Sequence, residues 1–281
     1  MKINIVGGGI VGTLSAFLLS KFGHEVLIFD PDSPGSHASG FAFGEMSALE
    51  GSGIPDPLLE FTLSSFNAHK LLIPEIEGTS GIPTNYQRND KLNLAFTSEQ
   101  ANRLQSEIEW QKDVEGFEVS WVAGKDLFDI EPLLNPECIG ATHIKDQSSV
   151  EPYKLTLSAA TAAEKLGTTI ITRGITDLIF SGDECSGVKT ESSEHLADVT
   201  LLTMGPWSKS ASQWIGYEIP VRPLKGQILR LDAPGININT SVFHQSNYVG
   251  LKPDGLIWAG TTEEEVGFDE NITNEARDQI M

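Results

Sequence analysis

The sequence predicts an α/β chain, α+β overall, in which a parallel-sheet nucleotide-binding unit is interleaved with a mostly antiparallel sheet. Three observations predict it. The first thirty residues run strand, glycine turn, helix, strand, carboxylate; a second strand, glycine turn and helix start arrives late, in ADVTLLTMGPWS; and short alternating strands follow from Val221. In KINIVGGGIVGTLSAFLLSKFGHEVLIFD, Gly7, Gly9 and Gly12 stand in G-x-G-x-x-G spacing, and the second strand ends on Asp30. Gly7 permits the tight turn, Gly9 lets backbone approach a pyrophosphate, and Gly12 lets helix and strand pack closely. The positive end of the helix dipole then faces the anion. Asp30 can accept hydrogen bonds from an adenosine ribose, which makes the opening unit Rossmann-like.

The remaining elements follow from pattern. PDSPGSHASGFAFGEMS, after Asp30, reads as a loop of small and hydroxyl residues rather than strand or helix. Apolar positions from about Pro57 to Ile73 predict an amphipathic helix ending before Pro74. Lys91–Phe96 alternates as a strand, Ser98–Gln111 is a helix with Ser98 as its cap, Glu118–Val122 is a short strand, and Gly124–Pro132 a short helix or turn. EPYKLTLSAATAAEKLG is an alanine-rich helix closed by Gly167, TTIIT a strand, and Ile175–Thr190 a hairpin around SGDECSG. ADVTLLTMGPWS then returns to the nucleotide-binding sheet. VRPLKGQILRLDAP, SVFHQSNYVGLKP and GLIWAGTT form the mostly antiparallel sheet, and NEARDQI opens a helix.

Composition narrows the function. The 281 residues, 40% apolar, suffice for one large or two intimate domains. With 19 Lys and Arg against 39 Asp and Glu, a net charge of −20 and no basic cluster, nucleic-acid partners are excluded. Cys138 and Cys185 have no metal-like spacing, so reduced thiols and no metal are expected. The opening stretch has the outline of a secretion signal, yet the glycine spacing uses those residues for a fold. No apolar run is long enough to span a bilayer, and a cytoplasmic location is expected.

These pieces, in this order, resemble the D-amino-acid oxidase and glycine oxidase family of FAD-dependent oxidoreductases. The motifs carrying the resemblance are GGGIVG with the acid of IFD, ASGFAFG, the VEPYKLTLSAATAAEKLG helix, ADVTLLTMGPWS and PLKGQILRL. The resemblance covers essentially the whole chain. It implies FAD, with Ile10 and Val11 at the pyrophosphate turn, Asp30 and Pro31 at the adenosine ribose, and Ala38 and Ser39 along the phosphates. Phe43, Gly44 and Glu45 are implied beside the flavin ring, with core packing the other reading of Phe43. Ile175 matches the position whose backbone meets the adenine, and Met204 and Gly205 form the late turn that approaches the cofactor from its other side.

The resemblance further implies an FAD-binding domain over residues 1–82 and 140–216, and a substrate-binding domain over 83–139 and 217–281. Tyr248 matches the tyrosine that reaches the substrate carboxylate. His244, four residues earlier on one strand, shares its face and is a second candidate for the cavity wall. Glu45 departs from the small or apolar residue usual beside the flavin; it reads either as a partner for a substrate ammonium or as a solvated loop acid. The family's carboxylate-clamping arginine and the glycine-rich segment that covers the flavin are absent, so the sequence reads as incomplete at its C-terminus. Arg222 and Arg230 fall at structural positions of PLKGQILRL instead.

The implied activity is oxidation of the C–N bond of a small amino acid or amine, by hydride transfer from the α-carbon to flavin N5, with dioxygen or another acceptor taking the electrons. A non-catalytic FAD-binding subunit and an NAD-dependent dehydrogenase are the alternatives. The oligomeric state, a homo-oligomer included, stays open.

Overall fold

The computed structural model describes residues 1–281. β1 (Lys2–Val6) leads through the glycine turn into α1 (Ile10–Lys21), and β2 (Glu25–Asp30) follows. The stretch after Asp30, expected as loop throughout, contains one helical turn, α2 (Ala38–Phe41), and a two-residue strand, β3 (Glu45–Met46). The turn closes because the Ala42 amide donates to the Ala38 carbonyl and the Gly40 amide to that of His37.

α3 (Leu59–Ser80) runs through Pro74 rather than stopping before it. Proline lacks the amide that continues a helix. Tertiary contacts hold the turn beyond it: Ile73 and Ile76 are buried, and the Glu77 carboxylate accepts from both the amide and the hydroxyl of Thr84 at 2.7 Å. β4 (Gln87–Ala95), α4 (Ser98–Gln111), β5 (Val119–Val122) and α5 (Lys125–Ile130) come next. The cap of α4 is Thr97, not Ser98. Thr97 keeps extended backbone, and its hydroxyl accepts from the Gln100 amide.

β6 (Gly140–Ser149) precedes α6 (Pro152–Lys165), whose N-terminus is capped by Glu151 accepting from the amides of Tyr153 and Lys154. β7 (Thr169–Thr172), β8 (Asp177–Ser181), β9 (Glu184–Lys189), β10 (Glu194–Leu196) and β11 (Val199–Leu202) follow. A 3₁₀ helix over Gly205–Ala211 then runs into α7 (Ser212–Ile215). The chain continues with β12 (Ile228–Leu231), β13 (Ser241–His244), β14 (Asn247–Leu251), β15 (Ile257–Gly260) and α8 (Asn274–Ile280). No helix is long and apolar enough to cross a membrane.

The chain divides into two compact units. The first holds Met1–Ala42, Ala68–Asn85 and Glu151–Leu224. Its main sheet is wholly parallel in the order β11-β1-β2-β7, so β1 pairs with β2 on one side and with the late β11 on the other. The return of ADVTLLTMGPWS to the opening sheet is thus observed. Ile3, Ile5, Phe17, Val26 and Ile28 pack with Ala159, Ala162 and Ala163 of α6, whose small side chains let that helix lie close to α1. A second sheet, β10-β9-β8, is antiparallel.

The second unit holds Phe43–Asn67, Tyr86–Val150 and Lys225–Met281. Its sheet has the order β12-β15-β14-β13-β4-β6-β3, with β5 also on β6, and is antiparallel except where β13 meets β4. One face is covered apolar core: Leu92, Leu94, Ala141 and Val242 pack against Leu127 and Cys138. This division differs from the one drawn from sequence. Residues 43–67 and 140–150 belong to the second unit and 83–85 and 217–224 to the first. The cause is strand pairing: β6 lies between β4 and β3, and carries β5 as well, which binds it to the antiparallel sheet.

Candidate functional site

A cavity of about 800 Å³ opens in the first unit at the C-terminal ends of β1, β2 and β11. That is where parallel α/β sheets take their ligands, and the volume falls in the range of cofactor sites. Of the residues singled out from sequence, Gly7, Gly9, Ile10, Val11, Asp30, Pro31, Ala38, Ser39, Ile175, Met204 and Gly205 all line it. Gly12 does not, and its role is packing. A Cβ there would fall on the Gly7 carbonyl and lie 2.9 Å from the Thr203 hydroxyl.

The turn is held in detail. Asp30 accepts from the Gly8 amide at 2.6 Å and from the Asp32 amide at 2.9 Å, so the carboxylate is oriented by the backbone it helps to shape. A carboxylate has about four acceptor positions, which leaves capacity for ribose hydroxyls. Ser39 accepts from the Ile10 amide at 3.0 Å, which places its hydroxyl at the first turn of α1. A Cβ on Gly9 would approach that hydroxyl to 3.0 Å. The gap kept open at Gly9 is thus a narrow one between helix start and loop.

Thr203 donates to the carbonyls of Val6 and Gly7, both at 3.0 Å, tying β11 to the turn. Sequence reasoning missed Thr203, and it missed Gly8, His37, Trp207 and Trp214 of the lining. The MGPWS motif carried a signal for Trp207; nothing local marked His37. The lining suits an ADP-bearing group. Helix amides and hydroxyls stand at one part, and Ile175, Leu202, Met204 and Trp214 offer apolar surface for a ring. FAD fits this donor set.

Phe43, Gly44 and Glu45 belong to the second unit and lie outside that lining. Phe43 is buried, its ring 4.1 Å from that of Tyr248 and 5.8 Å from that of Phe243. The Lys252 ammonium sits 4.1 Å above Phe43, and the Lys91 ammonium 3.9 Å above Phe243. Lys91, only 2% exposed, pairs with Glu50 and donates to Ser47 at 2.9 Å; Asn93 also donates to Glu50.

Glu45 is no solvated loop acid. One carboxyl oxygen accepts from Ser241 at 3.3 Å, and the other is buried without a hydrogen-bond partner. Burial pushes its pKa above the ordinary 4.5, making it a weaker acid, and the charges of Lys91 and Lys252 oppose that rise. Tyr248 is also pushed up by burial, against a hydrogen bond to Thr261, so it stays a neutral phenol at physiological pH.

His244 does not share a face with Tyr248. A hairpin turn at Gln245, with φ of 55°, separates the two residues onto β13 and β14. Tyr248 lies opposite Phe243 and His244 opposite Asn247, and directly opposed residues share a face while neighbours along a strand alternate. His244 instead meets Gln100 at 3.1 Å and the ring of Phe96 at 5.0 Å.

Comparison with known proteins agrees with this geometry. Glycine oxidase of Bacillus licheniformis is 26% identical over 260 residues, which are 92% of this chain and 68% of that protein. Hydrogen cyanide synthase subunit HcnC of Pseudomonas protegens is 27% identical over 311 residues, covering 96% and 73% respectively. The crystal structure of glycine oxidase from Geobacillus kaustophilus superposes with a TM-score of 0.93 at 26% identity, over 99% of this chain and 75% of that one. The family described as FAD dependent oxidoreductase (DAO) matches residues 2–281. The chain belongs to this family of FAD-dependent oxidoreductases.

Proposed function

We propose that this oxidoreductase oxidises the C–N bond of a small amino acid or amine in the manner of a glycine oxidase. The observation that carries the reading is Glu45: a buried carboxyl oxygen without a hydrogen-bond partner, within reach of the charges of Lys91 and Lys252, whose ammonium groups stand over Phe243 and Phe43. Burying an unsatisfied carboxyl is costly, and an ammonium group is the complement that would satisfy it. The names of the relatives, glycine oxidases among them, support the same substrate class.

The cofactor roles follow the cavity. The α1 N-terminus, Ser39 and Ala38 hold the pyrophosphate of FAD, Asp30 with Pro31 the adenosine ribose, and Ile175, Met204 and Gly205 the flanking walls. When bound, the flavin supplies a two-electron acceptor at N5 for a hydride from the substrate α-carbon, and dioxygen or another acceptor then takes the electrons. The protein's share is positioning and proton control. Glu45 holds the substrate ammonium and accepts its proton, because the α-carbon releases hydride only from the free amine. A carboxyl held above its usual range is the better base for that task. Tyr248, a neutral phenol, donates to the substrate carboxylate. His244 takes no part.

The test is anaerobic mixing of the FAD-loaded protein with glycine, sarcosine, proline and D-amino acids, followed by hydrogen peroxide measurement in air. Flavin bleaching with at least one of them, at a rate that rises with pH, is expected. A protein that holds FAD but is bleached by none of these substrates refutes amine oxidation.

A further inference from the structure

The cavity that takes the cofactor is poor in positive charge. Its lining includes two carboxylates, Asp30 and Asp32, and contains no lysine and no arginine. The neighbours that could have served do not line it: Lys209 lies between the lining residues Ser208 and Ser210, and Arg173 turns its guanidinium to Ser192. A helix N-terminus contributes about half a positive charge, whereas a dinucleotide pyrophosphate carries about two negative ones. One lining side chain can become a cation, and that is His37.

His37 is well placed for it. It is two residues from Ser39, whose hydroxyl sits on the first turn of α1, and Ser36, His37, Ala38 and Ser39 line the cavity as one run. Its Nε2 lies 3.0 Å from the Asp32 carboxylate, and its ring packs edge-on to Trp207 at 4.7 Å between centroids. The groups packed against it are Asp32 from the loop after β2 and Trp207 from the 3₁₀ helix, and Asp30 is the other carboxylate of the same lining. The Asp32 carboxylate favours an imidazolium over a neutral ring. The ring is partly exposed, so a proton reaches it from solvent.

We propose that His37 is the cationic partner of the cofactor's pyrophosphate, so that FAD binds together with a proton. The inference rests on the reading that this cavity takes FAD. The pyrophosphate is a diester whose charge is constant from mildly acidic to mildly alkaline pH, and histidine is the side chain that titrates there. The dianion favours the imidazolium, so affinity is greatest while His37 is protonated and declines as pH rises through its titration. Each unit by which the anion raises the tendency to protonate appears as a change of up to about ten-fold in affinity.

The experiment is titration of the apoprotein with FAD, read by flavin fluorescence between about pH 6 and about pH 8.5, with calorimetry in two buffers of different ionisation enthalpy. Wild-type affinity is expected to fall about ten-fold across that range, with net proton uptake at neutral pH. His37→Gln keeps a polar group beside Asp32 but cannot ionise; it is expected to bind weakly and without pH dependence. His37→Arg is expected to keep tight binding at both ends. Wild-type protein that takes up FAD with the same affinity at both pH values, or a slope that survives in His37→Gln, overturns the proposal. Failure of the folded wild-type protein to take up FAD at any pH overturns the cofactor reading itself.

Discussion

Gly12→Ala sets two effects of known sign against each other. Alanine in place of glycine within a helix stabilises it by about 1 kcal/mol. At Gly12 the added Cβ falls on the Gly7 carbonyl, 2.9 Å from the Thr203 hydroxyl and 3.1 Å from the Gly7 carbonyl carbon. The atoms it meets first are backbone, and Thr203 is held by hydrogen bonds to Val6 and Gly7. Relief requires α1 to move from β1 by about 1 Å, and overpacking of this kind costs about 1–3 kcal/mol, more where backbone must shift. Because the first atoms met are backbone, the upper end of about 3 kcal/mol applies, and subtracting the helix gain of about 1 kcal/mol leaves a net destabilisation of about 2 kcal/mol. The same shift carries the α1 amides away from the phosphates and weakens FAD binding. Gly78→Ala, in α3, is the control: its Cβ meets nothing within 4 Å, so only the helix gain remains, about 1 kcal/mol of stabilisation. Urea denaturation of both variants measures the pair. Gly12→Ala protein as stable as wild type refutes the close-packing account of that glycine.

Other outcomes follow from the same geometry. Asp30→Leu removes the acceptor of the Gly8 and Asp32 amides, so FAD affinity should fall by at least about 100-fold, a loss of about 3 kcal/mol read by flavin fluorescence. Glu50→Gln leaves the buried Lys91 ammonium without its ion-pair partner while Lys91→Met removes the charge itself; the first should cost about 3 kcal/mol in urea denaturation and the second clearly less. For Glu45 the sign runs one way. Its pKa in the folded protein lies above the ordinary 4.5, so just above pH 4.5 the folded state holds a proton that the unfolded state has released. Wild-type stability should therefore fall relative to Glu45→Gln as pH rises above about 4.5, then run parallel; wild-type stability that stays constant or rises relative to Glu45→Gln over that range would show that Glu45 is not buried as described.

The opening unit was legible because its parts are local. The spacing of Gly7, Gly9 and Gly12 and the acid at Asp30 encode a turn, a close approach and an acceptor within thirty residues. The return of β11 was legible from a repeated pattern. What stayed hidden depends on partners distant in sequence. Pro74 breaks a helix by local rules, yet Ile73, Ile76 and the Glu77–Thr84 contact hold it. His244 and Tyr248 look like one strand until the turn at Gln245 is seen. Glu45 reads as a loop acid until β3 pairs with β6 and Ser241 comes beside it. Thr97 rather than Ser98 caps α4 for a different reason: two adjacent hydroxyl residues are equal candidates, and only the backbone decides between them.

The position of β11 beside β1 bears on synthesis. Half of the cofactor's berth is encoded by residue 39, but the wall formed by Leu202–Trp214 emerges from the ribosome some 160 residues later. At ordinary translation rates that interval is on the order of ten seconds, during which one edge of β1 has no neighbour and the nascent chain can hold FAD only loosely. Ribosome-bound intermediates stalled before and after this segment should therefore differ sharply in flavin retention, with capture arriving as a late, abrupt event rather than accumulating along the chain.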